Sequence, residues 1–198
     1  MRHKPERSRR ASDPDRLLGL YLNDHLAGAG AGVALLRRMT RSHADTAAGP
    51  RLTELAEAVT ADRDSLREIM TALDVPLGHR RMLLGVLAEK AGRLKLNGRL
   101  ISRSPLSDVL ELEAVRVGVE GKKELWRALR ILSRSDSRID GEAMGRLLAR
   151  AERQADVLET LRLTAVEGAF DTRAHRGPQG APSRPHARTR GFAGWRPA

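Results

Sequence analysis

The fold class is decided by a stretch in the second half of the chain, residues 104–133, which reads SPLSDVLELEAVRVGVEGKKELWRALRILS. Ser104 followed by Pro105 is typical of a helix start, because serine caps the first turn and the fixed φ of proline suits the first helical position. Apolar residues then recur every three or four positions, which is the period of an α-helix. Two neighbouring stripes result: Leu106, Leu110, Glu113, Val117, Glu120 and Glu124, and beside them Leu112, Val115, Val119, Trp126 and Leu129.

The same period predicts three further helices, at about 14–42, 50–74 and 141–170. Ser12 or Asp13 can cap the first of them, with Pro14 at its first position, and Asp140 can cap the last. The second must end before Val75-Pro76, because a residue that precedes proline disfavours the helical conformation. Its apolar stripe contains one acid and reads Leu52, Leu55, Val59, Asp62, Leu66, Ile69 and Leu73.

Between the second and third long helices, the pattern predicts a shorter crossover helix over Gly78–Leu96. It would end at Asn97-Gly98, a pair that suits a helix C-cap and also a two-residue β-hairpin turn. The helical interpretation is favoured, since the chain offers no other strand for a hairpin to join. Two helical hairpins joined by a long crossover predict an all-α, four-helix bundle with one short extra helix.

The composition supports this class and excludes several others. Hydrophobic residues make up 40% and aromatic residues only 3%, so leucine and alanine must fill the core, and both favour helices. The absence of cysteine excludes disulfides and thiolate chemistry and fits the cytoplasm. The start of the chain lacks the apolar core of a signal peptide. The charge-free run 26–36 has 11 residues, short of the roughly 20 that span a membrane.

The positive charge is concentrated at the two ends of the chain. The net charge is +11, of which residues 1–13 carry +3 and residues 171–198 carry +5. Both ends lack apolar periodicity, and the second is rich in arginine, proline and glycine. They are predicted to be disordered basic tails on a bundle domain that covers 14–170. Phe192 and Trp195 among tail arginines suit stacking on nucleic-acid bases.

Gly28, Gly30 and Gly32 lie within the first predicted helix, where glycine is unfavourable. They lack the strand and the Gly-Lys-Ser/Thr ending of a phosphate loop. We therefore expect them to let another helix backbone approach closely.

The stretches Leu22–Gly28 (LNDHLAG) and Leu110–Lys122 (LELEAVRVGVEGK), together with helix lengths and order, resemble the ferritin-like superfamily, among its small bacterial bundle proteins. Metal-using members place one Glu on each of two helices and a Glu-x-x-His pair on each of the other two. This chain has no Glu-x-x-His: Ser65 stands three residues after Asp62, and Ala155 stands three after Glu152. The resemblance therefore implies the fold without the standard dinuclear site.

Four residues remain as a candidate set for a single metal ion, iron, manganese or zinc: His25, Asp62, Glu113 and Glu120. Each also has a structural interpretation. His25 suits a core histidine, Asp62 an ion pair with an arginine, and the two glutamates, two turns apart on one face, pairing with arginines such as Arg116. No spacing of Ser, His and Asp singles out a catalytic set.

Three hypotheses about function follow. The leading one is a non-enzymatic bundle that acts through assembly, as a homodimer, or by binding a protein partner. The second is a divergent metal-dependent oxidase or oxidative-stress protein that uses the four candidate residues with iron or manganese. The third is a basic accessory protein that contacts nucleic acid through its tails.

Overall fold

The computed structural model describes residues 13–78 and 104–170. It contains four helices in these ranges: α1 (Pro14–Ser42), α2 (Gly49–Ala72), α3 (Pro105–Leu132) and α4 (Gly141–Phe170). The described ranges contain no strand, which confirms the all-α prediction. The predictions for the crossover helix, the Asn97-Gly98 turn and the two tails lie outside the described residues.

Two helix starts use the capping side chains that the sequence predicted, whereas Ser104, at the start of α3, makes no side-chain capping hydrogen bond. Asp13 caps α1, where its Oδ1 accepts a hydrogen bond from the Asp15 amide at 3.2 Å. Asp140 caps α4, where its Oδ1 accepts from the amides of Glu142 at 2.9 Å and Ala143 at 3.1 Å. A side chain that accepts from amides of the first turn satisfies donors with no partner inside the helix. The predicted capping role of Asp140 is thus confirmed.

The end of α2 is closed by a residue in the left-handed conformation. Asp74 has a φ of 54°, and the Val75 amide donates back to the Met70 carbonyl at 2.9 Å. The chain then passes beside α1, where Asn23 Nδ2 donates to the Pro76 carbonyl at 3.1 Å. Asn23 Oδ1 accepts from the Gly78 amide at 2.5 Å. These bonds attach the segment after α2 to the first half of α1.

The helices pack as two antiparallel hairpins, α1 with α2 and α3 with α4. α1 also packs against α3, and its last turns meet the first turns of that helix: Arg38 Nη2 lies 2.8 Å from Glu111 Oε1. The end of α2 meets the start of α4, where Asp74 lies 3.8 Å from Arg138. Adjacent helices are therefore antiparallel, and α2 and α3 run in the same direction across the bundle. Gly78 and Ser104 consequently lie at opposite ends of it.

The core is made mainly of leucine, valine and methionine from all four helices. Trp126 is 1% exposed, so this residue is part of the core. The predicted stripe of α2 is buried with its acid, apart from partly buried Ile69. Within the described ranges, no helix is both long and apolar enough to cross a membrane.

The two stripes of α3 face different ways. Its buried side contains Leu112, Val115, Val119, Trp126 and Leu129. The other stripe points outward, with Val117 73% exposed. The stripe that contains the candidate ligands Glu113 and Glu120 therefore lies at the surface, because the neighbouring, more apolar stripe occupies the core.

The glycines of α1 do not have the close neighbour that we expected. Apart from the adjacent residues and the nearby backbone of α1 itself, no described atom lies within 4 Å of a Cβ built on Gly28, Gly30 or Gly32. α1 is also sparsely buried, with four buried residues out of 29. The described part of the bundle therefore gives no packing reason for these glycines.

Candidate functional site: a buried ion-pair cluster

Asp62 is the most unusual residue of the core. It lies in the middle of α2 on the buried stripe and is 1% exposed. Moving a carboxylate out of water costs several kcal/mol unless partners replace the lost hydration. The sequence therefore required a partner for Asp62, and the structure supplies three.

Both carboxylate oxygens of Asp62 are engaged by side chains of the second hairpin. Lys122 Nζ, on α3, lies 2.5 Å from Oδ2, and Gln154 Nε2, on α4, donates to the same oxygen at 2.9 Å. Arg150, also on α4, donates from Nε to Oδ1 at 2.5 Å, and its Nη2 contacts the same oxygen. Lys122 Nζ additionally donates to Gln154 Oε1, which closes a ring of hydrogen bonds. The predicted ion pair between Asp62 and an arginine is confirmed.

The cluster contains one carboxylate and two cations, so it carries an excess positive charge. Burial lowers the pKa of Lys122 below its usual value, while the charge of Asp62 and its hydrogen bond raise the pKa again, and Arg150 lowers it further. The side chain of Arg150 is 34% exposed and reaches the surface. There it lines a shallow groove of about 370 Å³ between α2 and α4, with Ser65, Glu68 and Arg146. Water can therefore hydrate one edge of the excess charge.

His25 is separate from this cluster. It lies on α1, partly buried, with its ring edge against Tyr21 at a centroid distance of 4.6 Å and an angle of 74°. Burial lowers the pKa of His25, and the nearby Asp24 carboxylate partly offsets this. This environment favours a neutral imidazole that packs against an aromatic ring.

Glu113 and Glu120 lie on the outward stripe of α3, with side chains that are 47% and 45% exposed. Glu113 lies 3.8 Å from Arg162 of α4, and Glu120 lies 2.7 Å from Lys123 of its own helix. Each therefore has a cationic partner at the surface.

The structure does not bring the four candidate metal ligands together. In residues 13–78 and 104–170, no group of three or more His, Asp or Glu side chains is placed to hold a metal ion. Asp62 instead uses both oxygens for Lys122, Arg150 and Gln154. What the arrangement does is join the first hairpin to the second through one buried acid.

Sequence reasoning missed Lys122, Arg150 and Gln154, although a signal for the first was present. The buried stripe of α3 jumps seven positions from Val119 to Trp126, and Lys122 fills the missing turn. A helix face cannot skip a turn, so a long polar residue in that position must be buried with the stripe. A cation in such a gap and an acid in the stripe of α2 are natural partners.

A second groove lies on the outer side of the α1/α2 hairpin and measures about 540 Å³. Ala56, Thr60 and Ala61 of α2 line it with short side chains. Arg37 and Glu57 flank it from opposite helices.

Comparisons with known proteins find no matching family model, no similar curated protein and no similar solved structure. The chain's own residues are therefore the basis for a functional assignment.

Proposed function

We propose that this chain is a non-catalytic, ferritin-like bundle that acts through assembly or by binding a protein partner. The observation that carries this proposal is the state of Asp62. In a metal-using bundle, a carboxylate at such a central position would be a ligand. Here both of its oxygens are bound by Lys122, Arg150 and Gln154 of the same chain.

The order of the helices supports the ferritin-like part of the proposal. Two antiparallel hairpins are joined so that α2 and α3 point the same way, which requires a long connection between them. That connection is the mark of ferritin-like bundles, whereas simple up-and-down bundles have only short loops. The protein would then keep the architecture and use its interior for stability, leaving the surface for recognition.

Metal content tests this proposal. The full chain, purified without chelator, is expected to contain no near-stoichiometric iron, manganese or zinc by elemental analysis. Glu113→Ala and Glu120→Ala remove two candidate ligands, and Glu124→Ala on the same outward stripe is the matched control. Near-stoichiometric metal that is lost in the first two variants and kept in the control would establish the metal-dependent alternative instead.

A second candidate function is favoured by the distribution of charge. The described residues contain 18 Lys and Arg and 22 Asp and Glu, so this part of the bundle is net −4. The remaining residues contain 18 Lys and Arg and only 3 acids, a net +15. Such segregation suits a protein that contacts the phosphates of nucleic acid through 1–12, 79–103 and 171–198.

Retention of a DNA duplex at low salt tests this second function. Replacing the six arginines of 171–198 with glutamine keeps the length of the chain and removes only its charge. Binding should weaken steeply with salt, with a slope near −0.9 per phosphate contacted, and the variant should have a shallower slope. An identical slope in both proteins would rule out a contact through this segment.

A further inference from the structure

The outer groove of the α1/α2 hairpin has a rim of opposite charges on its two sides. Arg37 and Arg41 stand on α1, while Glu57 and Asp64 stand on α2. Between them the floor is made of short alanine and threonine side chains, which allow another helix to approach closely. The groove is thus apolar along its middle, cationic on one side and acidic on the other.

Three of these rim charges have no ion-pair partner among the residues that the structure describes. Within residues 13–78 and 104–170, the nearby Arg38 and Asp64 have partners in Glu111 and Arg63. In the same described ranges, Arg37, Arg41 and Glu57 make no ion pair. Charges that flank an apolar groove and have no internal partner are available to a second molecule.

The arrangement of these charges is complementary to itself. Arg37 on α1 and Glu57 on α2 both line the groove, five residues before the end of α1 and eight residues after the start of α2. Because the two helices are antiparallel, these positions lie within about one helical turn of each other along the hairpin. A twofold axis parallel to the helices places α1 of one copy over α2 of the other, so each Arg37 faces the Glu57 of the partner copy. A twofold axis perpendicular to the helices would instead place arginine over arginine, which is repulsive.

We propose that this groove is the contact surface of a symmetric homodimer, in which Arg37 of each copy pairs with Glu57 of the other. The inference rests on the proposed function, because it names a second copy of the chain as the partner. Face-to-face contact of the two hairpins makes a four-helix interface with the alanine and threonine floors at its centre.

The area of the α1/α2 face determines how tightly we expect the two copies to bind. At 1.5 Å per residue, the 24 residues of α2 are about 36 Å long, and a helix pair is about 20 Å wide. Contact along the whole face would bury about 1,400 Å² in total over the two copies, and contact at the groove alone about half of that. This range reaches only the lower part of that seen for stable complexes. The dimer is therefore reversible.

The experiment is sedimentation equilibrium of the full chain over a wide concentration range, with three charge variants. Arg37→Glu and Glu57→Arg each place like charges opposite one another twice in the dimer, and each should raise the dissociation constant at least about tenfold. The double variant Arg37→Glu/Glu57→Arg exchanges the charges and should restore dimerisation. Arg153→Glu, an exposed residue of α4 that does not line the groove, is the matched control and should leave dimerisation unchanged.

Several outcomes would overturn the inference. A wild-type chain that stays monomeric at every concentration shows that the groove is covered or takes an unlike partner. If Arg37→Glu and Glu57→Arg leave the dissociation constant unchanged, or if the double variant does not restore dimerisation, the dimer uses another surface. None of these results depends on the metal content of the protein, so the proposed dimer can be disproved while the proposed function stands. Stoichiometric metal would remove the proposed function whatever the oligomeric state.

Discussion

Asp62 faces two cations, Lys122 and Arg150, and this imbalance decides which substitution at the cluster is the most harmful. Removing Asp62 leaves two like charges close together, one of them buried. Removing Lys122 leaves Asp62 with Arg150 and Gln154, so its charge is still compensated. The acid is therefore the residue on which the cluster depends.

Asp62→Asn should lower the free energy of unfolding by about 3–5 kcal/mol, the usual cost of leaving a buried charge without its partner. Asparagine has nearly the same shape, so the loss would be due to charge rather than to packing. Lys122→Met is the comparison, and its loss should be smaller. Urea unfolding measures both variants. Equal losses, or a larger one for Lys122→Met, would contradict this account of the cluster.

The pH dependence of stability should carry the signature of Lys122. Burial lowers its pKa in the folded protein below the ordinary lysine value of 10.5, so the unfolded chain holds this proton at higher pH than the folded chain does. Stability rises with pH wherever the unfolded state binds more protons. The contribution of Lys122 should therefore rise between its folded pKa and pH 10.5.

The measurement is the difference in unfolding free energy between the wild type and Lys122→Met, followed at alkaline pH up to about 10.5, near the ordinary lysine pKa. Burial also raises the pKa of Tyr21, which has the opposite effect on stability, but this contribution is common to both proteins and cancels. The difference should grow in favour of the wild type as pH rises. A difference that shrinks would mean that the pKa of Lys122 is raised by folding.

At the scale of the helices, the ends were predictable because their signals are local. Asp13-Pro14 and Asp140 act within one turn of their own position, and the structure uses both as caps. The buried cluster was not predictable in the same way, because Asp62 meets Lys122 and Gln154 across 60 and 92 residues of sequence. Choosing between the two stripes of α3 likewise depended on the neighbouring helices.

The glycines of α1 give a prediction at this scale. Glycine inside a helix costs about 1 kcal/mol relative to alanine, and a Cβ on Gly28 meets none of the described atoms. Gly28→Ala should therefore raise the free energy of unfolding by up to about 1 kcal/mol. Gly141→Ala is the control, because its Cβ would lie 2.6 Å from Ser133 Oγ and should bring no such gain.

Thermal and urea unfolding would measure both alanine variants. If Gly28→Ala destabilises the protein, its Cβ must collide with atoms outside the described ranges or with another molecule. That result would support the expectation from the sequence that this glycine allows close packing.

At the scale of the whole molecule, the two hairpins divide the cluster between them. The α1/α2 hairpin supplies the acid Asp62, and the α3/α4 hairpin supplies Lys122, Arg150 and Gln154. In an isolated hairpin, the charged and polar side chains of this cluster would lose their partners from the other hairpin. Stability is therefore shared across the bundle, and neither hairpin is expected to fold by itself.

Because each hairpin supplies one part of the cluster, the protein is suitable for production as two separate polypeptides. Residues 1–78 and 79–198, produced as separate polypeptides, should reassemble when mixed and recover helical circular dichroism that neither polypeptide has alone. Asp62→Asn in the first polypeptide should prevent the recovery, whereas Asp24→Asn, an exposed acid of α1, should not. The carboxylate buried between the hairpins would then determine which second polypeptide the first one can associate with.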